Sequence, residues 1–187
     1  KRISIENDNN KIGILSLRLF KILCFSSFYL FTFLAFFSPE ILPFFLGEKW
    51  VEAGMLISII CLGTFFEFLF SPLSNLLKIL HKQQVLFYFQ LLITFVSSIS
   101  ILIGGIFDDF YISFFLFSFF ISLLSLLLGL YIFELVNIRL SNILFIILKN
   151  ILFILPFIII FIFLKIYKID SVYYLIPIGL GCFIFNI

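Results

Sequence analysis

"AGMLISIICLGTFFEFLFSPLSNLLK", Ala53–Lys78, is apolar enough to enter a membrane, yet it carries a glutamate, a proline and an asparagine. Crossing the hydrocarbon layer takes roughly 20 apolar residues in helical form, and this run supplies them. On a helix, Gly63, Glu67, Ser71, Ser74, Asn75 and Lys78 gather into one stripe. A carboxylate inside a span costs on the order of 3 kcal/mol if nothing compensates it, so Glu67 is expected to face protein or a water-filled cavity rather than lipid. Such a carboxylate can couple protons or cations, bond a polar substrate, or hold a neighbouring helix. The sequence leaves all three open. Pro72, inside the same run, removes one backbone hydrogen bond and is the expected kink.

The surroundings of this run have the same character. Of 187 residues, 64% are hydrophobic and only 12% charged, well above the apolar half of a soluble domain. Mean hydropathy is +1.31. The expected fold class is therefore an all-α integral membrane protein. Continuous apolar runs argue against a barrel, whose strands alternate. About six candidate spans follow: Phe20 to Leu46 with a break near Pro39 and Pro43, Ala53 to Leu77, Val85 to Ile106, Phe110 to Phe133, Ile143 to Leu164, and Ser171 to the end. Residues 1–19 read as a cytoplasmic N-terminal segment and linker, and 20–187 as the transmembrane domain. The start at Lys1 and the finish within an apolar run read as a fragment of a longer protein. The 31 phenylalanines fit a compositional bias toward Phe, Ile, Leu, Lys and Asn, and are not read as an aromatic ligand box.

Immediately before the opening run lies "FFLGEKWVEAG", Phe44–Gly54, with the only tryptophan. Gly47 can supply a left-handed cap, Trp50 suits the headgroup level, and Glu48 and Glu52 fall near the positive end of the next helix. The stretch reads as a connection at a membrane surface. Lysines and arginines concentrate in the N-terminal segment, at Lys78 and Lys82, and at Arg139 and Lys149. The opposite loops hold Lys49, Asp108 and Asp109, with Lys165 and Lys168 as the dissenting pair. The positive-inside rule then places the N-terminus in the cytoplasm and the Gly47 loop outside.

Later spans carry weaker signals. Gln90, Thr94, Ser97, Ser98 and Gly105 make a second stripe, followed by "GGIFDD" as a turn. Ser118, Ser122, Ser125 and Gly129 form a seam of small residues, expected to pack against other helices. The fifth span, "ILFILPFIIIFIFL", is apolar all round and is expected to be peripheral. Cys24, Cys61 and Cys182 lack ligand spacing, and the single histidine, His81, lies in "KILHKQQ". No Ser/His/Asp set, HExxH helix or phosphate-cradling glycine loop is present, so neither catalytic residues, metal nor cofactor are expected, and the chain does not read as an enzyme. The net charge of +2 comes without a basic tract carrying exposed aromatics, which gives no case for nucleic acid.

"FFSPEILPFFLGEKWVEAGMLISIICLG" followed by "FLFSPLSNLLKILHKQQVLF" resembles the C-terminal half of bacterial polysaccharide-biosynthesis membrane proteins. These are the oligosaccharide flippases of the O-antigen and capsule type, within the multidrug and oligosaccharidyl-lipid exporter superfamily. The likeness is clearest over Phe37 to Phe89, and beyond it only the hydrophobic spacing agrees. It implies one lobe of a two-lobed transporter in the bacterial inner membrane, moving an undecaprenyl-diphosphate-linked oligosaccharide between leaflets by alternating access. Polysaccharide polymerases and glycosyltransferases would be its partners. The cations that meet the diphosphate are expected in the other lobe, so no phosphate site is carried over, and Glu67 is not a signature of the family. Glu67, Ser71, Asn75, Lys78, Gln90 and Thr94 are the candidate cavity residues. A multidrug or ion exporter of the same fold, a polymerase or acyltransferase, and a structural membrane subunit are the competing readings.

Overall fold

The computed structural model describes Arg2–Ile166, with side-chain surroundings described from residue 12 onward except at 157, 160, 161 and 164–166. The expected sixth span, Cys182, and the Lys165 and Lys168 side chains lie outside the described residues. The chain runs as α1 (Arg2–Leu46), a short 3₁₀ turn (Glu48–Trp50), α2 (Val51–Ile79), α3 (Gln83–Ile106), α4 (Phe110–Leu135) and α5 (Leu140–Ile166), with no strand among the described residues. Among the described residues, four segments are long and apolar enough to cross a membrane: Ile12–Leu46, Glu48–Ile79, Gln83–Ile106 and Phe110–Leu135. In α5 the stretch Leu140–Pro156 is apolar but shorter.

One expectation about α1 is corrected: the helix, which runs from Arg2 through the expected span to Leu46, is not broken at Pro39 or Pro43, which both lie inside it. In hydrocarbon a broken helix leaves backbone groups with no water to bond, so continuing through a proline, with one bond missing, is the cheaper course. The neighbourhood supports it. Ser38 Oγ donates to Gly54 O at 2.8 Å and lies 2.8 Å from Ser58 Oγ, tying α1 to α2 one residue before Pro39. A side chain at Gly54 would strike the Pro39 backbone at 2.6 Å.

The helix ends show how the turns are made. Gly47 has φ 97° and ψ 164°, a region that essentially only glycine enters, rather than the left-handed helical cap expected. Its N–H bonds Pro43 O at 2.8 Å and its carbonyl accepts from Trp50 N at 3.0 Å. The next three turns use left-handed residues that are not glycine: His81 (φ 57°), Asp108 (φ 51°) and Asn137 (φ 55°). Each sits just past a helix end and is followed by a six-to-one return bond: Lys82 N to Leu77 O at 2.7 Å, Asp109 N to Gly104 O at 3.1 Å, and Ile138 N to Phe133 O at 2.9 Å. This is the Schellman closure, and Asn, Asp and His are the side chains that best tolerate it after glycine. In "GGIFDD", accordingly, both glycines belong to α3 and the aspartates make the turn. Asp109 then caps α4 by accepting from Tyr111 N at 2.8 Å.

Side by side, the helices follow the order α5, α1, α2, α4, α3. α4 packs between α2 and α3 because its small residues let neighbours in. Ser118 Oγ accepts from Gly63 N at 2.9 Å, and a side chain at Gly63 would lie 2.8 Å from Ser118 O. At Gly129 the place of the missing side chain is taken by the Phe70 ring. Ser118, Ser122, Ser125 and Gly129 are all buried, as the seam predicts. On α3 the close packing is made by Ser100 and Gly104, both buried and with Gly104 against Ser113, while Ser98 and Gly105 of the expected stripe are exposed. The larger buried core among the described residues forms where α1, α2 and α4 meet, with a smaller one around Phe37. Phe20 stacks on Phe70 at 5.9 Å and meets Phe133 edge-on at 4.9 Å, with Cys24, Leu73, Leu77 and Ile132 around them.

Contacts fix which ends lie together. Tyr111 OH approaches Met55 Sδ at 3.8 Å, which puts the Gly47 loop and the Asp108/Asp109 turn at one end. At the other end, Lys82 Nζ donates to Tyr131 OH at 3.3 Å and sits over its ring, and Gly13 lies beside Val136. The first end holds Glu40, Glu48, Glu52, Asp108 and Asp109, and the second holds most of the cations.

Candidate polar face within the membrane helices

Glu67, Ser71, Pro72, Asn75 and Lys78 are exposed along one face of α2, with Ser74 half-buried at its edge. Gly63 departs from the expected stripe, since it is buried against α4. By helical rise, Glu67 stands roughly 24 Å from the start of α2 and about 18 Å from its end, close to the middle of the span. That depth makes an exposed carboxylate costly unless something polar meets it.

The face is organised along its length. Lys78 Nζ donates to Asn75 Oδ1 at 3.1 Å, and Asn75 Nδ2 reaches Pro72 O at 3.4 Å. Ser74 Oγ donates to Ser71 O at 2.7 Å. α2 continues through Pro72 as a single helix. On α3, Gln90, Thr94 and Ser98 are exposed. Thr94 Oγ1 donates to Gln90 O at 2.9 Å, and Ser98 Oγ donates to Thr94 O at 2.9 Å. Each hydroxyl thus spends its proton on its own helix and turns lone pairs outward, an arrangement that fits hydrogen-bond donors such as water or sugar hydroxyls.

The loop residues Gly47, Glu48 and Trp50 are exposed, with Trp50 at 48%. They stand at the acidic end, away from the Lys78 end of the polar face. Cys24 and Cys61 are buried and free.

A second feature escaped the sequence reading. A cavity of about 500 Å³ lies between α1, α2 and α5, walled chiefly by Phe28, Phe31, Phe65, Phe66, Ile151 and Ile158. Its α2 residues point nearly opposite to Glu67, Ser71 and Asn75 around the helix axis. α2 therefore has a polar outer face and an apolar, aromatic one. α5, although peripheral, turns one side inward to this cavity and buries Ile143 and Ile154. The signal was the pair of small residues Thr32 and Ala35 among the α1 phenylalanines, both of which line it.

Comparison of the chain with protein-family models, curated proteins and solved structures finds no significant match.

Proposed function

We propose that this chain is one lobe of a bacterial inner-membrane transporter that flips an undecaprenyl-diphosphate-linked oligosaccharide, with the exposed face of α2 and α3 forming one wall of a hydrated path. The observation that carries this reading is the exposed row Glu67, Ser71, Asn75 and Lys78, running from mid-span to the end of α2 and continued by Gln90, Thr94 and Ser98 on α3. A sugar needs many partners of moderate strength rather than one strong site, and a row of hydroxyl, amide and carboxylate groups offers that. Its lipid tail can stay in the bilayer, so only a polar wall is required of the lobe. A second lobe would face this wall and supply the cations for the diphosphate.

The test is Glu67→Gln in the complete protein, reading transfer of lipid-linked oligosaccharide to the outer leaflet alongside protein abundance. The expected outcome is transfer reduced about tenfold or more with abundance unchanged. Wild-type transfer would remove the carboxylate from the path. Loss of abundance and transfer together would make Glu67 a structural group. Retained sugar transfer with lost ion-coupled export of small cations would favour the exporter of the same fold.

A further inference from the structure

The cavity between α1, α2 and α5 sits beside cations that give it a direction. α1 and α5 run parallel. Both start at the basic end, where Gly13 lies beside Val136 at the α4 terminus, and Ile143 of α5 joins the same core as Phe20 of α1. Further along, the Phe25 and Phe153 rings meet at 5.9 Å across the α1–α5 seam. One helical turn back toward the basic end on each helix stand Lys21 and Lys149, both exposed. One turn or more beyond the ring pair, Phe28, Phe31, Ala35 and Ile158 open into the cavity.

Depth supports the same picture. Leu46, beside the Trp50 turn, is roughly 37 Å along α1 from Lys21, against a hydrocarbon layer of about 30 Å and about 40 to 45 Å with headgroups. With Trp50 in one headgroup region, Lys21 falls in the other, and by register so does Lys149. On α5 the lining runs from Ile147 and Ile151, which flank Lys149, to Ile158, so the cavity extends from the level of the lysines into the hydrocarbon. Two cations at headgroup level above an apolar hollow match the two halves of an anionic lipid. The hollow's few polar groups do not oppose this, since Ser58 Oγ is engaged with Ser38 Oγ and Gly54 O.

We infer that the α1–α2–α5 cavity is a binding site for one anionic phospholipid of the bilayer, its phosphate held between Lys21 and Lys149 and one acyl chain lying along Phe28, Phe31 and Ile151. The site is on the opposite side of α2 from the proposed path. It does not depend on what that path carries. Its role is to wedge the sparsely packed α5 against α1.

The test uses the whole chain, purified from vesicles of equal phosphatidylglycerol and phosphatidylcholine and examined by native mass spectrometry. About one phosphatidylglycerol is expected to stay bound. Lys21→Gln with Lys149→Gln should lower its occupancy about tenfold or more, whereas Lys49→Gln at the acidic end should not. Ile151→Trp should expel the lipid by filling the hollow with both lysines in place, and Ala35→Trp is the second variant if Ile151→Trp does not fold. Equal retention of phosphatidylcholine, no retained lipid, or phosphatidylglycerol kept by both the charge and the cavity variants would overturn the assignment. So would complete displacement by farnesyl diphosphate at equal concentration, which would make this an isoprenoid site. Transfer assays of Glu67→Gln read the polar face and are blind to these outcomes.

Discussion

α4 and the α2–α3 face are built from the same kinds of residue at the same helical spacing, and the bundle treats them in opposite ways. On α4, Ser118, Ser122 and Ser125 are buried, and Ser118 receives a hydrogen bond from the backbone of another helix. On α2 and α3, Ser71, Thr94 and Ser98 are exposed, and the hydroxyls of Ser74, Thr94 and Ser98 donate to carbonyls of their own helices. The difference lies in what faces them. Opposite α4 stand Gly63, whose bare backbone comes within bonding distance, and Phe70, whose ring enters the gap at Gly129. A small residue becomes a packing device when its partner helix has matching relief. Beside Glu67, Asn75 and Lys78 the same small residue becomes part of a polar wall, because burying that row against an apolar helix would strand charge.

This contrast predicts a steep gradient of effects. Gly129→Leu should be the most damaging change. Its side chain would have to occupy the space of the Phe70 ring, at a cost of about 3 kcal/mol or more. Unfolding of the purified chain in denaturing detergent should show it, and a stability loss below about 1 kcal/mol would mean that the α2–α4 contact is looser than the geometry states. Ser118→Ala is milder, since it removes one interhelical bond of a kind worth about 0.6 kcal/mol on average in membrane bundles and up to about 1.7. The same unfolding assay should give a loss in that range. Thr94→Ala with Ser98→Ala should be nearly neutral, within about 0.5 kcal/mol, because the lost bonds are to the residues' own helix. A loss from this pair equal to that of Ser118→Ala would erase the distinction between seam and wall.

Much of the architecture was legible because hydrophobicity in lipid is a blunt instruction. The long apolar runs around α2, α3 and α4, and the burial of the Ser118–Gly129 seam, followed from span length and small-residue spacing. The continuity of α1 did not. Pro39 and Pro43 looked like breaks by rules learned in water, and only the α2 neighbour, through Ser38, Gly54 and Ser58, shows how the helix is held there. The turns were half visible. "GGIFDD" announced one, but Asp108 takes the left-handed position and the glycines serve packing, a division that depends on Ser113 lying opposite Gly104. At the candidate site, the phase of Glu67, Ser71, Asn75 and Lys78 could be read directly. The placement of Gly63 could not, because glycine is compatible with either face until a partner is known. The aromatic cavity was hidden for a related reason: phenylalanine is so abundant here that the few forming a wall carry no distinguishing mark.

The central claim is that the Glu67 face meets water at mid-membrane while the opposite face of the same helix does not. Single cysteines placed in turn at positions 62, 66, 67, 71 and 75, in a complete protein otherwise free of cysteine, can be challenged with a membrane-impermeant, hydrophilic thiol reagent. Labelling should follow the helical period, strong at 67, 71 and 75 and weak at 62 and 66. Uniformly absent labelling, or labelling at 62 and 66 in preference to the polar row, would contradict a hydrated path on this face.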